Sequence, residues 1–214
     1  MLIKEFCAEN FTNIPAAIHN GAKRIELCDN LTVGGTTVSP GVMSETYDYC
    51  HEKEVTVMSI IRPRGGDFVY NDTELKIMSE DLTTAKERGT DGIVIGCLTE
   101  DNWIDEEAML EFINLSDGLQ LTFHMAFDEL SVDDQFKAID WLAKYGVQRI
   151  LTHGGKAGTP IMDNIDHLAK LIDYSDGRII ILPGGGINHE NCDAVVAALN
   201  ITEIHGTKIV TLDV

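Results

Sequence analysis

The chain has 214 residues, of which 44% are hydrophobic and 24% are charged, and its formal net charge at pH 7 is −19. This length and composition are ordinary for a globular protein, and we expect a single domain over residues 1–214. The strong negative charge argues against a nucleic-acid partner, because a phosphate backbone is bound by clusters of Lys and Arg.

Neither apolar runs nor cysteine spacing indicates a membrane or secreted protein. No apolar stretch approaches the roughly 20 residues that span a bilayer, so we expect no membrane partner. The five cysteines form an odd set with wide spacing and no C-x-x-C motif, which argues against a disulfide framework. Free thiols are typical of a reducing compartment, and we predict a cytoplasmic location.

Short apolar runs alternate along the chain with segments of helical hydrophobic spacing. The runs predict eight strands, at residues 2–8, 24–28, 55–61, 91–95, 120–124, 149–152, 178–182 and 202–205. The segments between them predict seven helices, the first starting near Asn13 and the others covering 39–52, 72–88, 105–115, 133–145, 162–174 and 189–199.

Capping signals accompany several of these helices. Asp72 and Asp133 stand where a side chain accepts a hydrogen bond from a free helical N–H group. Gly21, Gly89 and Gly146 follow helical patterns and are predicted to end them in the left-handed conformation.

The order of these elements predicts the fold class. Nearly continuous apolar strands are typical of a parallel sheet that is covered on both faces. Eight β/α units predict a TIM-type (β/α)8 barrel, with an open doubly wound sheet as the alternative. Only nine residues follow His205, so the eighth helix is predicted to be short or missing. Apolar barrel surface would then be exposed near the first and last strands, and we expect homo-oligomers to cover it.

A pair of arginines follows the third predicted strand. Arg62 and Arg64 lie two positions apart, and side chains at i and i+2 of a strand lie on the same face. Pro63 between them has a fixed φ and no N–H donor. Two guanidinium groups at this point suggest an anion site, because each binds a carboxylate or phosphate through two hydrogen bonds. The alternative is a structural ion pair with a nearby Asp or Glu.

Polar residues recur at the carboxyl ends of the predicted strands, where barrel enzymes have their active sites. The candidate catalytic residues there are Glu26, Arg62, Arg64, His124, Asp128 and His205. Because an unpaired buried charge is costly, such groups pair with one another or with a ligand. Asp128 lies just beyond its strand, and the other five are predicted to share one pocket. The remaining histidines near these elements are interpreted as surface or loop residues: His51, His153, His167 and His189.

Glycines follow the seventh and eighth strands. Gly184, Gly185 and Gly186 form a loop between a strand and a helix, and Gly206 follows the last strand. Backbone amides in such a loop can approach an anion closely, and barrels often hold phosphate there. We therefore predict that these four glycines bind a phosphate or carboxylate group. The alternative is a tight turn without a ligand.

Two cysteines form a candidate metal site. Cys7 and Cys28 lie on neighbouring predicted strands, with their side chains on the inner face at similar height. Paired thiolates suit Cu(I) or Zn. The alternative is a pair of buried cysteines that act as small hydrophobic residues.

Five segments together resemble the CutC family, which is named for copper homeostasis. They are residues 24–28 (Arg-Ile-Glu-Leu-Cys), 34–37 (Gly-Gly-Thr-Thr), 61–70 (beginning Ile-Arg-Pro-Arg-Gly-Gly-Asp-Phe), 122–128 (Thr-Phe-His-Met-Ala-Phe-Asp) and 182–187 (Leu-Pro-Gly-Gly-Gly-Ile). The resemblance implies a TIM-barrel fold, a cytoplasmic location and an association with copper, with no settled enzymatic activity. Two positions depart from the family pattern: Met125 replaces a usual Arg, and His153 replaces a usual Ser.

Two classes of function therefore stay open. The first is a protein of copper homeostasis that binds Cu(I) through Cys7 and Cys28. The second is an enzyme that acts on a small phosphorylated or carboxylated metabolite. In that enzyme, Glu26 or His124 would transfer protons, and the two arginines would hold the anion.

Overall fold

The computed structural model describes residues 2–213, in which strands and helices alternate along the chain. The strands are β1 (Ile3–Glu9), β2 (Arg24–Cys28), β3 (Thr56–Ile60), β4 (Gly92–Ile95), β5 (Gln120–Phe123), β6 (Arg149–Thr152), β7 (Ile180–Pro183) and β8 (Glu203–Gly206). The helices are α1 (Ile14–His19), α2 (Pro40–Glu52), α3 (Asp72–Arg88), α4 (Glu106–Leu115), α5 (Val132–Lys144), α6 (Ile165–Ser175) and α7 (Cys192–Leu199). No helix within residues 2–213 is long and apolar enough to cross a bilayer.

The eight strands form one parallel sheet that curls into a nearly closed barrel. Their order is β7-β6-β5-β4-β3-β2-β1-β8. At the seam between β7 and β8, a parallel bridge joins Asn188 and Lys208 in the segments that follow the two strands. The predicted TIM-type barrel is thus confirmed.

Between β8 and residue 213 the chain forms no eighth helix. Ile209 and Val210 in this segment are buried in the main core, and the Asn20 side chain donates a hydrogen bond to the Asp213 carbonyl at 3.2 Å. An irregular segment therefore packs against the barrel near α1. This segment buries Ile209 and Val210 against the barrel, where the sequence predicted exposed apolar surface beside the first and last strands. Self-association itself stays a prediction.

Strand alternation separates two apolar regions. Ile25 and Leu27 of β2 point outward and pack under the helices in the main core. Inside the barrel lies a smaller cluster, made of Cys7, Cys28, Met58, Ile60 and Val94. Buried polar side chains also point into the barrel at both of its ends, among them Arg24, Glu26 and His205. The interior therefore supplies the candidate site.

Helix ends differ in part from the predicted caps. Asn71 and Ser131 cap α3 and α5, so the prediction of Asp72 and Asp133 as caps is wrong. Both aspartates lie in the first helical turn, where a negative charge stabilises the helix dipole. The three predicted glycine ends are confirmed, each with a positive φ: Gly21, Gly89 and Gly146.

Candidate functional site

A cavity of about 230 Å³ opens at the carboxyl end of the barrel. Cys7, Glu26 and His205 line it from the barrel interior, and Arg62 and His124 line it from the ends of β3 and β5. Its other lining residues are small or mostly apolar: Leu31, Gly34, Ile60, Phe68, Met125, Leu151, Gly185, Gly186, Gly206 and Thr207. No lysine of the described chain lines it, so the cavity has no amine for a Schiff base.

Below the cavity, the first residues of several strands form a buried network of ion pairs. The Arg149 Nε atom lies 2.6 Å from a Glu203 oxygen, and the Arg24 Nη2 atom lies 2.7 Å from the same oxygen. The Arg24 Nε atom donates to Glu5. Each charge in this lower network therefore has an opposite charge beside it. Burial alone would raise the pKa of Glu5, but Arg24 and His205 lower it to about 2.

His205 connects this network to the cavity. Its Nδ1 atom lies 2.7 Å from Glu5, and its Nε2 atom lies 3.6 Å from a Glu26 oxygen. Burial alone would lower the pKa of His205, but the carboxylates of Glu26 and Glu5 raise it well above 6.5. His205 is therefore a cation at neutral pH. Burial raises the pKa of Glu26, which makes this carboxyl a suitable proton donor or acceptor.

The two predicted metal ligands face each other, with 3.8 Å between the Cys7 and Cys28 sulfur atoms. Cys7, Glu26 and His205 each also have one potential ligand atom in a group whose members all lie within 4.8 Å of one another. The hydrogen bond from Cys28, together with burial, raises the pKa of Cys7 well above its usual value. Its bond with Cys7 lowers the pKa of Cys28, but burial and nearby Glu26 raise it to about 11. Both groups are therefore thiols at neutral pH in the absence of metal.

Arg62 lies at the wall of the cavity with its guanidinium held by backbone carbonyl groups. It donates to the carbonyl oxygens of Val33 at 2.8 Å, Gly35 at 3.0 Å and Gly66 at 2.7 Å. Its Nε atom is buried without a hydrogen-bond partner among the described residues. The predicted placement of Arg62 in the pocket thus agrees with the structure.

Arg64 lies outside the cavity, so the prediction that both arginines share the pocket is wrong. β3 ends at Ile60, and strand alternation does not continue past Pro63. Instead, the Arg64 Nε atom lies 2.5 Å from Glu74 on α3, and its Nη2 atom lies 3.0 Å from Asp67. This is the structural ion pair that the sequence left as an alternative. Its side chain is 35% exposed.

His124 follows β5 and also lies at the cavity wall. The backbone N–H of Ala126 donates to its Nδ1 atom at 3.2 Å, and its Nε2 atom has no partner within residues 2–213. Burial and the nearby Arg62 charge lower the pKa of His124 to about 3. This imidazole is therefore neutral at physiological pH and carries its proton on Nε2.

Asp128 is partly buried beside the cavity but does not line it. It accepts hydrogen bonds from the Thr152 hydroxyl and, at 2.9 Å, from the His153 backbone N–H. Burial raises its pKa. Together with His153 it lines a neighbouring cavity of about 310 Å³. The structure therefore places Asp128 next to the other candidates rather than among them.

The predicted glycines lie around the opening, although Gly184 does not line the cavity. Gly185 and Gly186 have φ values of +78° and +73°, which favour glycine. A Cβ atom on Gly206 would meet the carbonyl oxygen of Ile187. The glycines thus permit the close packing of the loops after β7 and β8. Their predicted binding of an anion stays a prediction.

His153 was interpreted as a surface or loop residue, but it is buried. Its Nδ1 atom lies 3.0 Å from the Gly185 carbonyl oxygen, and its Nε2 atom lies 3.0 Å from the Thr159 carbonyl oxygen. It therefore joins the loops after β6 and β7 beside the cavity opening. Its position directly after the sixth predicted strand was the signal that could have identified it.

Comparison with known proteins connects this geometry to a family. The model of the CutC family matches residues 2–210. A family protein CutC from Enterococcus faecalis is 69% identical over 98% of this chain and 100% of its own length. A copper homeostasis protein cutC homolog from Homo sapiens is 37% identical over 99% of this chain and 75% of its own length.

A solved structure agrees with the sequence matches. The crystal structure of CutC from Streptococcus agalactiae superposes with a TM-score of 0.95 at 47% identity. The match covers 98% of this chain and 100% of that one. The resemblance predicted from the five sequence segments is therefore confirmed.

Proposed function

The chain belongs to the CutC family, and from this premise we propose that it serves copper homeostasis by binding Cu(I) at the floor of the barrel cavity. The names of its human and streptococcal relatives support the role in copper homeostasis. The observation that carries Cu(I) binding is the contact between the Cys7 and Cys28 thiols, 3.8 Å apart and beside His205.

The chemistry of these donors fits Cu(I). Thiolate sulfur is the preferred ligand of this soft ion, and imidazole nitrogen is also suitable. Glu5 accepts the proton of His205 Nδ1, which leaves Nε2 to face Cys7 and Glu26. A carboxylate behind a ligating histidine fixes the ring and raises its basicity. We therefore assign Cys7 and Cys28 as the ligands of Cu(I) and His205 as a third donor.

Protonation sets the strength of this binding. The pKa of Cys28 is about 11, so the metal must displace a proton from this thiol. His205 must also lose its Nε2 proton before it can bind a metal. Affinity should therefore rise with pH, by about tenfold per pH unit for each proton released. At neutral pH the competition with protons weakens binding, which suits transfer of the ion rather than permanent retention.

The test is competition for Cu(I) against a chelator under reducing conditions, at several pH values. We expect Cys7→Ser and Cys28→Ser each to lower the affinity by more than about tenfold, or roughly 1.4 kcal/mol. Cys97→Ser is the matched control, because Cys97 is buried outside the barrel interior. Unchanged affinity for Cu(I) in both Cys7→Ser and Cys28→Ser would contradict the proposal that these cysteines bind Cu(I). Tighter binding of Zn²⁺ than of Cu(I) by the same residues would contradict the assignment to copper.

A second candidate function is an enzyme that acts on a small phosphorylated or carboxylated metabolite. The observation that favours it is Arg62, a buried cation that lines the cavity and has no carboxylate partner among residues 2–213. Glu26 would act as the proton donor or acceptor, and Arg62 would hold the anion. His124 would stabilise negative charge as it develops on the substrate.

We also propose a cytoplasmic location and a homo-oligomeric state. The five cysteines are all free and buried, which suits a reducing compartment. Light scattering at micromolar concentration measures the oligomeric state. We expect a dimer or larger assembly, and a mass of 23.6 kDa throughout would contradict it.

A further inference from the structure

Arg62 is a buried charge that lacks a counter-ion. Only 3% of the residue is exposed, and no carboxylate of the described chain lies within ion-pair distance of it. Arg24, buried to a similar degree, contacts both Glu5 and Glu203. Burying a cation without an anion is costly unless a partner is supplied. The cavity that Arg62 lines is the place where an anion from solution can provide that partner.

His124 supplies a second unpaired donor on the same wall. Because its Nδ1 atom accepts the Ala126 N–H, the proton is on Nε2, and this N–H group has no acceptor among residues 2–213. The residue is 4% exposed. A buried donor without an acceptor destabilises the folded protein, and a ligand in the cavity that His124 lines would supply the missing acceptor.

The two donors lie close together around one aromatic ring. The Phe68 ring centroid is 4.8 Å from the Arg62 Cζ atom and 4.8 Å from the His124 ring centroid. The Arg62 Nε and His124 Nε2 atoms are both shielded from solvent in this structure. Phe68 is partly exposed, and we expect its ring to turn aside when a ligand reaches them.

Charge and size restrict the ligand. Arg62 is the guanidinium group among the described residues that line the cavity, and it has no carboxylate partner there. One negative charge on a ligand would balance it, which favours a carboxylate over a phosphate dianion. The volume of about 230 Å³ lies below the roughly 300 Å³ at which drug-sized pockets begin, so the ligand is small.

We propose that this cavity binds a small 2-oxo or 2-hydroxy carboxylic acid. The carboxylate accepts a hydrogen bond from Arg62 Nε, and the neighbouring carbonyl or hydroxyl oxygen accepts one from His124 Nε2. Glu26 then faces the rest of the molecule. This inference rests on the second candidate function and specifies its substrate class, and it does not depend on Cu(I).

The experiment is a calorimetric titration of the full chain with glyoxylate, lactate, acetate and inorganic phosphate at pH 7. We expect glyoxylate or lactate to bind about tenfold more tightly than acetate, since only they supply the second acceptor. Arg62→Met should abolish the binding. His124→Phe should reduce the affinity for glyoxylate or lactate to that for acetate. The matched control is Arg178→Met on the surface, which should leave binding unchanged.

Other outcomes overturn the proposal in distinguishable ways. If phosphate binds more tightly than the acids, the carboxylate assignment is wrong but an anion-binding enzyme stands. If none of the four anions binds at millimolar concentration, the carboxylic-acid ligand and the anion-binding enzyme are both contradicted. Circular dichroism of each variant checks its fold. If Arg62→Met is unfolded, His124→Phe decides the question, because equal affinities of this variant and the wild type would contradict the predicted second contact.

Discussion

The two ends of the barrel interior are built from the same kinds of residue but differ in how these residues pair. At the amino ends of the strands, Arg24, Arg149, Glu5 and Glu203 form the lower network, in which each charge contacts an opposite one. At the carboxyl ends, Arg62 and His124 are equally buried, but each has an N–H group without a partner in the described part of the chain. The paired end contributes stability, and the unpaired donors of the other end are the groups that we propose bind a ligand.

Removing Arg24 should have the largest effect on stability. Arg24→Met would leave Glu5 and Glu203 without their shared cation in a buried site. Breaking a buried ion pair from one side costs about 3–5 kcal/mol, and we expect a loss of that size in the free energy of unfolding. Urea denaturation measures it. A loss below about 1 kcal/mol would show that water reaches this end of the barrel.

Acid should have the second-largest effect on stability, because it protonates Glu5 in the lower network. The pKa of Glu5 is 4.5 in the unfolded reference and about 2 in the folded protein. Between these values the unfolded chain binds more protons, so the contribution of Glu5 is present above pH 4.5 and lost as pH falls towards 2. It amounts to about 3 kcal/mol. Unfolding free energies measured across this range should fall less steeply in Glu5→Gln than in the wild type, and parallel curves would contradict the prediction.

Between the two ends, removing an unpaired polar group of β5 should stabilise the protein. The Thr122 hydroxyl oxygen on β5 is buried with no hydrogen-bond partner in the described chain. Thr122→Val keeps the shape and removes the polar atom, so we expect a gain of about 1 kcal/mol in unfolding free energy. Thermal unfolding measures the gain. Thr152→Val is the matched control and should destabilise, because the Thr152 hydroxyl donates to Asp128.

Arg64 should give the smallest effect. It forms partly exposed ion pairs with Asp67 and Glu74, which are screened by solvent. We expect Arg64→Met to cost about 1 kcal/mol or less and to leave binding of Cu(I) and of anions unchanged. Anion titration and urea denaturation of this variant check both statements. Weaker anion binding by Arg64→Met than by the wild type would show that Arg64 takes part in the candidate site.

The difference between the two arginines shows where sequence reasoning stops. The prediction for Arg62 agrees with the structure because this residue lies only two positions after the end of β3. The prediction for Arg64 failed because Pro63 lacks an N–H group and β3 ends at Ile60, so side-chain alternation could not be extended that far. For His153 the error has the opposite direction: it was predicted to be a surface or loop residue but is buried. A position just beyond a strand can still be covered by a neighbouring loop.

The sequence by itself determined the eight strands, the seven helices and which strand residues face the barrel interior. These follow from local periodicity, because side chains alternate every residue in a strand and recur every 3.6 residues in a helix. Five sequence segments also sufficed to identify the family.

Only the tertiary structure decided which charges pair and which stay unpaired. The lower network joins Arg149 to Glu203, 54 positions apart in sequence, and His205 to Glu5, 200 positions apart. Such contacts depend on the closure of the barrel and on the paths of its loops, which no local pattern specifies. The same closure packs Ile209 and Val210 into the core in place of an eighth helix. It also leaves Arg62 without a counter-ion, because loop carbonyl groups accept hydrogen bonds from its Nη1 and Nη2 atoms without neutralising its charge. The Arg62 Nε and His124 Nε2 atoms keep no hydrogen-bond partner among residues 2–213.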